Sequence, residues 1–254
     1  MSINLPKTIF GIDTAQALER ILATPSPPQE KPGQAATHIT NPQGYILIPG
    51  TTKLIAKQES YKGKTWEDTH YLLSEQGLFM PSPAIFMPYV LAVQQAAQGR
   101  IVLYDGNHNP LQQSEAHDLW NYLSSTDRQR GTCWTHLDAK FEETNNKWTL
   151  ITDHRVVMNN GKKELQGTTS PLEECLREDN LVTLQFTHQG LPTTSSPTPV
   201  CRQGANLYYY HPRNNAVARF FADADGAVLS CLGGPQYSYS RLGVFACAEG
   251  TPQT

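Results

Sequence analysis

The feature that most constrains folding is a change in residue grammar near Arg130. Upstream of it, capped segments with apolar residues at helical spacing recur. Downstream, β-branched runs and turn dipeptides take over. Helices early and strands late, with little alternating βαβ order, predict an α+β fold with helices in the N-terminal half and a β-rich C-terminal half.

The upstream helices announce their ends. "DTAQALERILA", 13–23, offers Asp13 or Thr14 as a cap ahead of Ala17, Leu18, Ile21 and Leu22. "TWEDTHYLLSEQG", 65–77, has Thr65 to cap, acids in its first turn and Gly77 to stop it. "SPAIFMPYVLAVQQAAQG", 82–99, puts Pro83 at the first helical position and Gly99 at the end, with Pro88 expected to kink it or shift its start. "SEAHDLWNYLSS", 114–125, opens on Ser114. Short strands are expected on either side of Pro49-Gly50 within 44–56 and in "RIVLYD", 100–105. "TPSPPQEKPGQ", 24–34, carries four prolines and reads as an extended connector, so residues 1–40 form a helix plus linker and 41–254 one domain.

Beyond Arg130, "WTLITDHRVVMNNGKK" predicts a hairpin turning at Asn159-Asn160-Gly161. "DNLVTLQFTHQGLPTT" predicts a further strand, followed by a Pro/Ser/Thr-rich link. The apolar Leu242, Val244 and Phe245 near the carboxyl end have no reason to be there unless that end returns to the core.

Charged residues make up only 17% of the chain, the net charge is −3, and no segment clusters Lys and Arg, which argues against nucleic acid as a partner. No signal sequence and no membrane segment are read, so the cytoplasm is the default location. The five cysteines, at 133, 175, 201, 231 and 247, form no C-x-x-C pair, and the eight histidines form no H-x-x-x-H, so neither metal nor cofactor is expected. Cys133 and His136 could make an activated thiolate, but Trp134, Leu137 and Phe141 beside them favour a packed structural segment. "DADG", 223–226, fails as a calcium loop: with Gly226 sixth, Phe221 and Leu232 occupy the first and twelfth positions. No catalytic motif is found, and no enzyme is expected.

Residues 206–241 differ from the rest. Tyr208, Tyr209, Tyr210, Tyr237 and Tyr239 are five of the chain's eleven tyrosines, set among Ser, Gly, Asn, Asp and Arg. Antibody-type contact loops use this mixture, and Tyr and Phe also suit strands, so composition leaves both readings open. The segment lacks Lys, Glu, Met, Trp, Thr and Ile, residues that surface strands normally recruit for solubility among them.

With "NLYYYHPRNNAVARF", Ala227, Leu229, Cys231, Pro235, Ser238, Ser240 and "LGVFACAEG", 242–250, the segment resembles the variable region of archaeal diversity-generating retroelement variable proteins. Upstream, "FMPSPAIFMPY", "THLDAKF", "DHRV", "PLEECLREDN" and "QGLPT" are similar to them too, so the resemblance spans roughly 65–250. It implies a C-type lectin fold and a hypervariable region, about 206–250, rewritten at template adenines. Asn codons randomised in this way never yield Lys, Glu, Gln, Met or Trp, which matches four of the six absences; Thr and Ile would be permitted, and Gln236 has to be inherited or templated otherwise.

The resemblance further implies that Ala227, Leu229, Cys231, Leu242, Val244 and Phe245 anchor the segment. The contact surface would be Tyr210, His211, Phe221, Asp223, Asp225, Gly226, Val228, Ser230, Leu232, Gly233, Tyr237, Tyr239 and Arg241, facing an unknown ligand, most naturally a protein. Two other functions compete. One is an enzyme on a scaffold like that of formylglycine-generating enzymes, which would need Cys231 and Cys247 as an activated pair. The other is a calcium-dependent sugar-binding lectin, for which acidic ligands cannot be assembled.

Overall fold

The computed structural model describes residues 39–125, 132–223 and 226–250, together with two short paired strands near the amino end, β1 (Thr8–Ile9) and β2 (Ile12–Asp13). The chain divides into two compact units, Met1–Ala35 and Ala36–Thr254. Asp13 is in β2 rather than capping a helix, and the rest of the helix expected over 13–23, like the connector at 24–34, lies outside the described residues.

The larger unit is α+β. After β3 (Tyr45–Leu47) and β4 (Lys53–Ala56) come α1 (Trp66–Glu75), α2 (Pro83–Ala97), β5 (Tyr104–Asp105) and α3 (Gln113–Ser124). The strands β6 (Trp134–Thr144), β7 (Lys147–Asn159), β8 (Lys162–Pro171), β9 (Asn180–Thr183), β10 (Asn206–Tyr210), β11 (Ala216–Asp223), β12 (Gly226–Gly233) and β13 (Cys247–Glu249) follow. Seven of them form one sheet in the order β8-β7-β6-β11-β12-β10-β9, and four form a second, β13-β4-β3-β5. The helices are not a block set ahead of the strands, because β3 and β4 precede them and β4 pairs with β13 from the far end of the unit.

Local chemistry explains most boundaries. The Thr65 hydroxyl accepts the Asp68 N–H at 3.1 Å, an N-cap that satisfies one of the four unpaired amides of α1. Pro88 neither breaks α2 nor moves its start. Ser114 is not the cap of α3, which opens one residue earlier; the Gln113 side chain instead donates to the Ala96 and Ala97 carbonyls in the last turn of α2. Asn160 and Gly161, with φ of 49° and 77°, turn β7 into β8 in the left-handed conformation that this tight hairpin demands. "RIVLYD" yields only Tyr104–Asp105 as strand, and the strand in 179–194 stops at Thr183.

Helices α2 and α3 pack on one face of the large sheet. Phe86 on α2 meets Phe220 of β11 at 5.2 Å and Phe245 at 5.7 Å between ring centres, inside a core that also takes in Tyr89, Val93, Leu123, Leu137, Leu229 and Cys231. A smaller cluster of Trp66, Leu73, Met80, Val217, Val244 and Ala246 seats α1 on the opposite face. The run Leu242–Ala248 joins the two sheets. Gly243 exchanges backbone hydrogen bonds with β6 (N–H to Trp134, carbonyl from His136), and Cys247 does so with Phe79 before β13 pairs with β4.

Candidate functional site

Strand alternation divides β11 and β12 between two environments. Ala218, Phe220 and Ala222, with Leu229 and Cys231, are fully buried against the helices. Arg219, Phe221, Val228, Ser230 and Leu232 face the other way. Pairing register extends this outer face across four strands, as one row of Trp134, Phe221, Val228 and Tyr208 and a second of His136, Arg219, Ser230 and Tyr210.

Aromatic contacts weld part of this face to the loop after β12. Trp134 stacks on Phe221 with ring centres 4.5 Å apart and meets Tyr239 at 5.3 Å. Beside them the Arg219 guanidinium lies 4.8 Å from the centre of the Tyr237 ring and donates to the Gly234 carbonyl at 2.6 Å. The loop is tied to α1 as well: the Trp66 amide donates to the Pro235 carbonyl and the Gln236 side chain to Glu67. Tyr237, Leu232 and Tyr239 are 50%, 45% and 38% exposed, and Arg241 is exposed beside them in sequence.

The residues expected to make contact therefore separate. Phe221, Leu232, Tyr237, Tyr239 and Arg241 lie on the outer face or in its loop, Phe221 half-buried by its stacking. Exposed Tyr210 and half-buried His211 sit at the β10 end, where His211 Nδ1 is 2.6 Å from the Asp179 carboxylate. Asp179, Tyr208 and Tyr210 there line an open groove of about 570 Å³ together with Pro197 and Pro199. Asp223 ends β11; its side chain and all of Asp225 lie outside the described residues.

Four expected contact residues are corrected. Val228 and Ser230 point outward yet are only 5% and 4% exposed, because each is flanked on both neighbouring strands by a larger side chain, Phe221 and Tyr208 or Arg219 and Tyr210. Gly226 and Gly233 are buried, and both are glycines by necessity. A Cβ on Gly226 would come within 2.3 Å of Cys201 Sγ, and one on Gly233 within 2.7 Å of Arg219 Nε.

Matched against protein-family models, curated proteins and solved structures, the chain finds no counterpart.

The buried ionisable groups do different work. Burial pushes the thiols of Cys133, Cys231 and Cys247 up, the reverse of what a nucleophilic thiolate needs. Glu59, its side chain wholly buried, accepts from the Trp134 amide at 2.8 Å and the Tyr122 hydroxyl at 2.7 Å, so it fixes the start of β6 beneath the aromatic patch. Burial raises its carboxyl above the ordinary range, against those hydrogen bonds and the nearby Lys62. Neither Glu59 nor Trp134 stands out in the sequence as a support of the site, because the pairing of β6 with β11 connects residues nearly ninety positions apart.

A second cluster lies on the same side of β6, under α1. His70 from α1, Asp138 from β6 and His154 from β7 bring one donor atom each within 4.8 Å of one another. His154 Nδ1 is 2.5 Å from Asp138 Oδ1, and its backbone N–H donates to Oδ2 at 3.0 Å. His70 Nε2 is 3.5 Å from Asp138 Oδ1, too long for a hydrogen bond, and has no hydrogen-bond partner among the described residues. Trp66 closes the cluster edge-on against both imidazoles, at 4.3 and 4.8 Å. Burial holds His70 down to about 4 in spite of Asp138, so it is neutral at pH 7.

Proposed function

We propose that this chain is a ligand-binding protein of the diversity-generating retroelement type, with a C-type lectin-like fold whose outer sheet face and following loop recognise a protein partner. The observation that carries this reading is the contiguity of Trp134, Phe221 and Tyr239, with Tyr237 capping Arg219, on strands whose alternate residues are core. Tyr, Trp and Arg dominate binding hot spots, and an exposed aromatic patch beside Leu232 has a cost in solubility that binding would justify. Exchangeable contact residues require a backbone held by others. Phe220, Leu229 and Cys231 hold it from below, while Leu242 and Val244 hold it from the chain end.

The reading rests on Phe221, Leu232, Tyr237, Tyr239 and Arg241, with Tyr210 and His211 as a flanking pair. A display library randomised at the first five positions tests it by protease resistance. Most members should remain folded, and unfolding of most members would overturn it. The genetic half of the reading is tested in the neighbouring DNA, which should contain a reverse transcriptase gene and a near-copy of codons 206–250 differing only at adenines.

A further inference from the structure

The cluster beneath α1 has a geometry that display does not require. We infer that His70 Nε2, Asp138 Oδ1 and His154 Nδ1 form a site for a borderline divalent transition-metal ion, of which Zn2+ is the type, and that the ion fastens α1 to the large sheet.

Four independent features converge on it. The donors come from three separate elements and stand within 4.8 Å of one another, with His154 Nδ1 2.5 Å and His70 Nε2 3.5 Å from Asp138 Oδ1; ligands around tetrahedral zinc are about 3.4 Å apart, so the first pair must open by roughly an ångström while the two imidazoles close by a similar amount. His70 is 4% exposed, and its Nε2 is directed at the Asp138 carboxylate with no hydrogen bond of its own, an orphan that a protein rarely tolerates in its interior. The β7 backbone is deformed to bring the third donor in. A bulge falls between Thr152 and Arg155, Asp153 takes a φ of 52°, and His154 is thereby turned onto Asp138. On the neighbouring strand Gly167 makes room, since a Cβ there would come within 2.8 Å of His154 Nε2.

The donor set selects the ion. Two imidazole nitrogens and one carboxylate oxygen suit Zn2+ and its first-row neighbours, whereas Ca2+ and Mg2+ prefer oxygen alone. Coordination through His154 Nδ1 requires the neutral tautomer with its single ring proton on Nε2, so that the Nδ1 lone pair faces the ion in place of a hydrogen bond to Asp138. Burial of His70 and Asp138 under the Trp66 ring makes the site a fastener rather than an exposed reaction centre. Its mechanical consequence reaches the display loop, because α1 holds that loop through Trp66 and Glu67.

The test needs no knowledge of the display ligand. Protein stripped with a chelator and titrated with Zn2+ in a calorimeter should take up one ion per chain, with micromolar or tighter affinity and a rise in Tm. Co2+ in its place should give the visible bands of a four-coordinate nitrogen and oxygen site, with no near-ultraviolet thiolate band. His70→Ala and His154→Ala should each lose this uptake, while Cys201→Ser, which removes a half-buried thiol, should keep it. Absence of uptake by the unaltered protein, a thiolate band, or uptake that survives both histidine substitutions would overturn the inference and leave the cluster a metal-free hydrogen-bonded triad. If the variants do not fold, the calorimetry and cobalt spectrum of the unaltered protein still decide. Success or failure here leaves the display reading untouched.

Discussion

The two faces of the β11–β12 hairpin share a backbone and differ in almost everything else. Phe220, Leu229 and Cys231 are sealed against α2 and α3, while Phe221 and Leu232, their immediate neighbours in the chain, belong to the side that carries Tyr237 and Tyr239. A period of two residues separates what the fold cannot lose from what it can exchange. Direction alone is not enough, however. Val228 and Ser230 point outward but are roofed by cross-strand neighbours, so the exchangeable set is smaller than alternation implies.

Substitutions on the sealed side should have the largest effects. Val244→Asp would bury an unpaired charge in the cluster under α1 and should prevent folding, as read by loss of the near-ultraviolet circular dichroism signal. Phe220→Ala should cost about 3–5 kcal/mol in denaturant unfolding, since its ring fills the space facing Phe86 and the chain cannot collapse into the void. Retention of native stability by either variant would break the comparison.

Gly233→Ala gives an intermediate effect that sharpens it. The added methyl meets the Arg219 guanidinium and the Val217 carbonyl, so a loss of roughly 1–3 kcal/mol is expected in the same measurement, although the sequence pattern sets the position among the exchangeable ones. Tyr237→Ala combined with Tyr239→Ala should cost no more than about 1–2 kcal/mol, because the two residues are 50% and 38% exposed and the contacts they lose, with Arg219 and Trp134, lie at the surface. A large fall in Tm for that pair would assign the tyrosines to the scaffold.

The smallest effect belongs to Asp179. Some burial raises its pKa, but hydrogen bonds from the His211 amide and ring, with Arg213, outweigh this and hold it below the usual carboxylate range. A depressed carboxylate stabilises the fold above its unfolded value and loses that contribution as pH falls through its folded one. Asp179→Asn should thus change stability by no more than a few tenths of a kcal/mol at pH 7, as for surface ion pairs generally, and flatten the pH dependence only below about pH 4. Urea unfolding at pH 3 and pH 7 measures it.

What the sequence reveals follows the range of the interaction. Thr65, Pro83 and Asn160-Gly161 act within a few residues of themselves, and the elements they begin or turn are legible. The inward residues of β12 are legible for the same reason, since alternation is local. The hairpin turn announces the start of β8 but not its length, because "KKELQGTTSP" is an edge strand with a mostly solvated, polar pattern that resembles a loop. The roofing of Val228, the support of Trp134 by Glu59 and the meeting of His70 with Asp138 and His154 all depend on which strands become neighbours. Glu59 is 75 residues from Trp134 and His70 is 68 from Asp138, so no local spacing marks them, and even the less distant partners of Val228 and His154 become neighbours only once the strand pairing is known.

The seam made by Leu242–Ala248 also makes closure of the two sheets depend on the far end of the larger unit. Any insertion or deletion that shifts the reading frame within codons 206–241 scrambles every residue of the seam. Gly243 can then no longer bond to β6, nor Cys247 to Phe79, and the two sheets lose their clasp. A frameshift there removes the clasp along with the segment, whereas a single substitution leaves it in place.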